Sequence, residues 1–361
     1  MNYKRWLLTT ALLTILFCSP FLYIIFYNYY VDPLWNFNHQ NKANASQIAF
    51  DERQLKVNYL SHQTPYDSLL VGTSRTTYIN QHDFTNMSVY NFSAGSLALS
   101  EYVPYIRYAT EQNREAFDTI ILELYPTGNL DEALISSYPA PAIYFETKNA
   151  PLYSIKSLFS FDTYEKAKNN ASDATPKGFR IYDRNNVVSL EPVDEETVQS
   201  NIRKGLKKLG SVKETTDFTE YKKVLYEIKE ASPNSQFIVY SPPYFHERIG
   251  KIFRNEGGVQ LYHDWLKTCI EVFGGVVNFT TINDITLNVE NYFDTNHFYP
   301  STGTYIAKDI VAFKNGQPMQ YATYVNRENL EEFIEEFREQ MMAFNQKKNL
   351  FPFHSEIGEV F

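Results

Sequence analysis

The chain has 361 residues, a hydrophobic share of 43% and a formal charge of −9, with acidic and basic residues mixed along its length. That length supports a sizeable core, in one large domain or two small ones. No basic stripe is present, which argues against nucleic acid as a partner. Two cysteines, Cys18 and Cys269, far apart in the chain, argue against a disulfide framework and a Cys-rich metal site.

The first element is apolar. Trp6 to Phe26 carries no charge and runs for about 21 residues, enough to cross roughly 30 Å of hydrocarbon as a helix. Lys4 and Arg5 precede it, and Tyr27, Tyr29, Tyr30 and Trp35 follow. Cations before the span and aromatics after it predict a single-pass anchor in the cytoplasmic membrane, N-terminus inside, with the bulk of the chain extracytoplasmic. A cleaved signal peptide requires small residues at its end, and the run ends in Phe26-Tyr27-Asn28-Tyr29-Tyr30. A lipid-modified Cys18 requires a small residue before it, where Phe17 stands.

After a connector over 31–65 that includes a predicted helix from Asp51 to Ser61, short aliphatic runs closed by turn residues predict buried parallel strands. These are Asp67–Gly72, Ser88–Phe92, Thr119–Leu124, Gln236–Tyr240 and Val276–Phe279. Between them, helical spacing is expected over Leu99–Gln112, then from Phe218 to Ile228 with Thr216 or Asp217 as N-cap, and from Tyr262 to Phe273. A further helix runs to Phe313 with Ser301 or Thr302 as its cap, and an amphipathic helix spans Asn329 to Phe344. The tract 130–215 is polar, Pro-rich and without a sustained period. It reads as an insertion with short helices, either a substrate-facing subdomain or a surface excursion. The fold class is therefore α/β, a doubly wound, flavodoxin-like parallel sheet of about five strands. The expected domain spans 66–325, with an anchor over 1–30 and a C-terminal helix and tail over 326–361.

In such sheets the residues just after each strand form the site. Gly72-Thr73-Ser74-Arg75 follows the first strand. A Ser at a strand end, near backbone N–H groups, suits a nucleophile, although an ordinary turn Ser has the same sequence. Asp294-Thr295-Asn296-His297 follows the last strand. His is the natural general base near neutral pH, and an Asp three residues earlier can fold back to its Nδ1 and fix the tautomer. The order Ser, Asp, His matches α/β hydrolytic triads, while the G-x-S-x-G elbow is absent. Arg75 reads either as a holder of a substrate phosphate or carboxylate or as the partner of a nearby acid. No ligand set with metal spacing is present, and no metal or other cofactor is expected.

These residues resemble the SGNH (GDSL-like) hydrolase superfamily. Gly72-Thr73-Ser74 is similar to its first block, with Thr in place of Asp, and Asn91-Phe92-Ser93-Ala94-Gly95 to its second. Asp294-Thr295-Asn296-His297 is similar to its last. The resemblance implies that Gly95 donates an N–H to an oxyanion hole. The third block departs from the pattern: Tyr125-Pro126-Thr127-Gly128-Asn129 stands where Gly-x-Asn-Asp is expected, leaving Asn129 as a shifted candidate donor. With an N-terminal anchor, the chain is similar to the D-alanyl-transfer protein of teichoic acid synthesis and to the alginate O-acetylation proteins. That similarity implies a serine-dependent acyltransferase or esterase acting on an envelope glycan or teichoic-type polymer, beside a multi-pass membrane O-acyltransferase. The alternative is a non-catalytic binding or assembly partner in the same process. The 28 Tyr, 27 Phe and three Trp fit either an aromatic-rich core or an aromatic groove for glycan or lipid.

Overall fold

The computed structural model describes residues 3–48, 50–62, 65–126, 130–171, 179–209 and 216–346. Its strands are β1 (Ser46–Ile48), β2 (Ser68–Val71), β3 (Val89–Asn91), β4 (Thr119–Glu123), β5 (Ile181–Asp183), β6 (Val188–Ser189), β7 (Gln236–Ser241), β8 (Gly275–Asn278) and β9 (Thr323–Asn326). The chain divides into two compact units: residues 1–63 with 142–186, and residues 64–141 with 187–361.

The second unit carries a six-stranded sheet in the order β3-β2-β4-β7-β8-β9. The first five strands are parallel, and β9 runs antiparallel to β8. Numbered along the sheet's own chain order, the parallel strands lie 2-1-3-4-5, the flavodoxin-like arrangement, whose direction reverses between β2 and β4. Every residue of β2, β3, β4 and β8 is buried. A row of Asn91, Leu70, Ile121 and Ile238 crosses four strands in register. Such two-sided burial is why these strands read as unbroken aliphatic runs. The sixth strand is an addition to the expected five. Only Val325 of β9 is buried, so its sequence carries no apolar run. Gly275 lets it approach: a Cβ there would lie 2.3 Å from the Tyr324 hydroxyl.

Helices follow the strands as the periodicity predicts, with corrections at their starts. Helix Glu256–Phe273 buries Val259, Tyr262, Trp265, Leu266 and Cys269 on one stripe and ends on Gly274 at φ 90°. The helix expected to be capped by Ser301 or Thr302 instead begins at Pro300, which takes the first helical position where a missing N–H costs nothing. Helix Thr219–Glu230 starts on Phe218, with the Asp217 carboxylate accepting the Thr219 N–H at 2.9 Å. The C-terminal helix Leu330–Gln346 packs back on this unit, with Phe337 against Phe253 and Tyr262 at ring separations of 5.6 and 4.7 Å. Within the tract read as an insertion, Glu195–Lys208 is a full helix capped by Asp194, burying Val198, Ile202 and Leu206.

The first unit begins with helix Tyr3–Val31, long and apolar enough to cross a membrane. Pro20 removes the N–H that would reach the Leu16 carbonyl, and the Ser19 hydroxyl bonds that oxygen instead at 2.9 Å. At the helix end Asn28 Nδ2 donates to the carbonyls of Leu158 and Ser160 at 2.9 and 3.0 Å. Helix Glu52–Leu60 is capped by Asp51, and β1 pairs antiparallel with β5.

Candidate active site

Ser74 lies just beyond β2 and Glu123 ends β4, so both stand at the carboxyl edge where strand order reverses. A short 3-10 turn, Thr76–Tyr78, carries the chain away from Ser74. Gly72 serves this turn through space. A Cβ there would fall 2.0 Å from Thr76 Oγ1 and 2.8 Å from the Glu123 Cβ. The first block therefore needs glycine because its loop folds onto Glu123.

Glu123 is the centre of the loop's order. Its carboxylate is fully buried and accepts the Thr73 N–H at 2.8 Å, the Thr73 hydroxyl at 3.0 Å, the Thr76 hydroxyl, and Arg75 Nε at 2.6 Å. Thr76 Oγ1 also meets the Tyr240 hydroxyl of β7 at 2.6 Å. Every residue flanking Ser74 is thus tied to one buried acid.

Arg75 is 4% exposed. Besides Glu123 it reaches Asn296 Oδ1 at 2.8 Å, and its guanidinium lies 4.5 and 5.2 Å from the rings of Tyr125 and Tyr244. Burial alone would lower its pKa, but Glu123 and the two tyrosines hold it above the usual value. Of the two roles open to Arg75 from sequence, pairing with a nearby acid is the one its contacts display. Arg75 is the partner of a buried acid and a strut between the Ser74 loop and the loop of His297.

His297 Nε2 stands 2.7 Å from Ser74 Oγ, and His297 Nδ1 stands 2.8 Å from Asp294 Oδ2. Asp294 Oδ1 accepts the backbone N–H groups of Asn296 and His297, both at 2.7 Å. Burial would raise the Asp294 pKa; the bond to the His297 ring, the charge interaction with it and these two N–H groups bring it below the ordinary value instead. A carboxylate held ionised accepts a proton-bearing Nδ1, which leaves the lone pair of neutral His297 on Nε2, facing the Ser74 hydroxyl. The Phe293 ring stacks on the imidazole at 5.6 Å and 7°. Tyr78 meets it edge-on at 6.2 Å. His297 is therefore within hydrogen-bond reach of both Ser74 and Asp294, the two residues that strand order places with it.

Helix Glu195–Lys208 supports this loop from behind. Asn201 donates to the Phe293 carbonyl at 3.2 Å, and a Cβ on Gly205 would lie 2.5 Å from Thr295 Oγ1. Helix Pro300–Lys314 presses Gly303 against the backbone of Tyr78 and Ile79.

The second block lies beside the first. Ala94 N–H reaches the Gly72 carbonyl at 3.3 Å, and Gly95 follows in a buried turn. Asn91 has a positioning role: its amide donates to the carbonyls of Thr76 and Ile79, both at 2.9 Å. Asn129 lies outside the described residues.

Glu123 and Arg248 also belong to this region, although no local pattern in the sequence marks either. The Arg248 guanidinium lies over Tyr244 at 4.8 Å, and its Nε finds no hydrogen-bond partner. Burial lowers its pKa, while Tyr244 and Asp294 oppose that shift. No local spacing links residue 248 to residue 294; only the fold does.

No family model matches the chain, and the comparison with curated proteins finds no match. Among solved structures the chain is similar to a Streptococcus pneumonia protein provisionally assigned as a platelet activating factor. That protein is 12% identical, with 73% of this chain and 91% of the other covered, at a TM-score of 0.33. At that score the similarity carries no argument about function.

Proposed function

We propose that this chain is a membrane-anchored serine-dependent acyltransferase or esterase. The observation that carries the reading is the continuous relay from Asp294 through His297 to Ser74, at 2.8 and 2.7 Å. Ser74 Oγ attacks the acyl carbonyl of an ester or thioester while His297 Nε2 takes the hydroxyl proton, and Asp294 stabilises the imidazolium that forms. The tetrahedral oxyanion is assigned to the backbone N–H groups of Ser74 and Gly95. Collapse breaks the bond to the leaving alcohol or thiol, which takes the proton from His297, and leaves the acyl group on Ser74. An acceptor hydroxyl then gives its proton to His297 and attacks the acyl carbonyl, and collapse breaks the bond to Ser74 Oγ, which takes the proton back from His297. If the acceptor is water, the product is a free acid. If it is a sugar or polymer hydroxyl, the product is a new ester.

We assign the acceptor to an envelope glycan or teichoic-type polymer, with a multi-pass O-acyltransferase as partner. This finer assignment is supported by motif resemblance together with the apolar helix Tyr3–Val31, and it rests on analogy.

A fluorophosphonate probe is expected to label the full chain and to fail on Ser74→Ala and His297→Ala. A folded wild-type protein that takes no label would sink the catalytic reading and favour the binding-partner alternative. Feeding an acyl donor with and without glycan, and comparing free acid with glycan ester, separates hydrolysis from transfer.

A further inference from the structure

Helix Tyr153–Leu158 is turned inside out for a helix in water. Leu152, Ile155 and Phe159 recur at the i, i+3, i+7 spacing that puts them on one face. That face points outward: the three are 64, 49 and 60% exposed. Ser157 points inward instead; it is 8% exposed, and its hydroxyl accepts the Asn36 amide at 3.0 Å. Phe161, which opens helix Phe161–Ala171, is 62% exposed. Water favours the opposite arrangement, and large apolar side chains exposed so close together mark a contact surface.

This surface is held at a defined height on helix Tyr3–Val31. Asn28 Nδ2 donates to the carbonyls of Leu158 and Ser160, on either side of Phe159, at 2.9 and 3.0 Å. Tyr164 meets the rings of Tyr23 and Tyr27 edge-on at 6.2 and 5.5 Å. The corner between the two helices therefore lies level with residues 23–28. The uncharged run ends at Phe26, and its length of about 21 residues matches roughly 30 Å of hydrocarbon. Residues 23–28 thus stand where acyl chains give way to headgroups. An apolar face at that depth is covered by lipid. Lys156, exposed beside the apolar face, has a stem that can lie along it and a charge that reaches the headgroups. All of these residues belong to the first unit.

We propose that the corner carrying Leu152, Ile155, Phe159 and Phe161 is a second membrane contact, seated at the headgroup–acyl boundary of the leaflet from which helix Tyr3–Val31 emerges. The inference rests on the reading of that helix as a membrane anchor. The occupant is the lipid surface, because the apolar face adjoins the flank of a helix that itself lies in lipid. Hydrophobic length alone does not set the tilt or rotation of a span; contacts at the interface do. This corner supplies such a contact and fixes the first unit against the bilayer.

The test uses the full chain in phosphatidylcholine nanodiscs, with Cys18→Ala; Cys269 is wholly buried and stays. A bimane label is attached at Phe159→Cys and, in separate preparations, at Ile155→Cys and at Leu16→Cys, a position within the span that is 70% exposed. Lipid with a nitroxide near the top of its acyl chain should cause loss of emission at 159 and 155, and aqueous iodide should cause none. Loss to iodide but not to nitroxide lipid at both positions places the face in water and overturns the proposal. Protection from both quenchers places it against protein, a second copy included, and overturns the proposal equally. The label at 16 separates the two readings. If a nitroxide deep in the acyl chains quenches it while nitroxide lipid spares 159 and 155, the anchor stands and the second contact fails. If no nitroxide lipid quenches it, the anchor reading fails and the proposal with it.

Discussion

Glu123 in the sheet-bearing unit and Lys56 in the N-terminal unit are both wholly buried charged residues, and they meet different surroundings. Glu123 accepts hydrogen bonds from Thr73, Arg75 and Thr76, among them a guanidinium and a backbone N–H. Lys56 donates to Asn186 Oδ1 at 2.5 Å and lies 4.6 Å from the Tyr182 ring, and burial pushes its pKa down to about 7 although the Glu52 carboxylate opposes that shift. Arg184 extends the contrast, since it is paired on one nitrogen and unmatched on the other. A saturated buried charge fixes geometry, and here it fixes the loop that carries Ser74. A buried cation with an unmatched donor, as at Arg184 Nη1, or one opposed mainly by desolvation, as at Lys56, is costly to keep. Three substitutions sharpen this comparison.

The largest effect is expected at Asp294. Asp294→Asn keeps the side chain's size but cannot accept in the same way from both the ring and the two backbone N–H groups. The wrong tautomer of His297 then faces Ser74. Turnover of an activated ester should fall by about 10⁴-fold, with the thermal transition little changed. Retention of wild-type turnover would show that Asp294 does not orient the ring.

Glu123→Gln comes next, and it acts through the arginine. An amide nitrogen would face donors on Thr73, Arg75 or Thr76, and the Arg75 guanidinium would lose its counter-charge while staying buried. Breaking such a pair costs about 3–5 kcal/mol, read as a lower denaturation midpoint. Fluorophosphonate labelling should fall with it, because the residues on both sides of Ser74 lose their anchor. An unchanged midpoint would mean that the network is decoration on an already ordered loop.

The contrast also explains what the sequence made legible. The five parallel strands stand out because burial on both faces demands aliphatic runs such as Thr119-Ile120-Ile121-Leu122, whereas β9 meets the sheet edge with one buried valine. Ser74, Asp294 and His297 could be found because topology sends strand ends to one edge, so chain order alone nominates them. Glu123 could not. A glutamate ending a strand looks like the point where chain meets water, and its partners lie 47 to 50 residues earlier. Arg75 was legible as a choice between two roles, and only its burial decides. Helix Glu195–Lys208 had a readable stripe in Val198, Ile202 and Leu206, obscured by a Pro-rich tract around it. A cavity lined by Trp35 and Arg184 joins segments nearly 150 positions apart, which no local pattern encodes.

The smallest effect is expected from Lys56→Met, and it tests the costly side of the comparison. Met follows the same unbranched stem and carries no charge. Replacing buried charge with apolar volume is often neutral or stabilising by about 1–4 kcal/mol, but it leaves Asn186 Oδ1 without the Lys donor, which costs about 1–3 kcal/mol. The net gain near pH 7 is therefore on the order of 1 kcal/mol. The pH dependence is the sharper readout. A lysine whose pKa falls from 10.5 to about 7 on folding is held deprotonated in the folded state between those values, while the unfolded chain binds the proton. Wild-type stability should then rise with pH across that window. The buried acids Asp32 and Glu247, both raised to about 7 by burial, act in the opposite sense and only at lower pH: their contribution falls as pH rises from the ordinary carboxylate range toward 7. Chemical denaturation between about pH 7.5 and 9.5 thus isolates Lys56 from both. The wild type should gain stability relative to Lys56→Met over that range, since the contributions of Cys269, Lys148 and Lys251 are common to both. Parallel slopes would mean that Lys56 keeps its charge when folded, and that the N-terminal unit satisfies its buried cation as fully as the other unit satisfies Glu123.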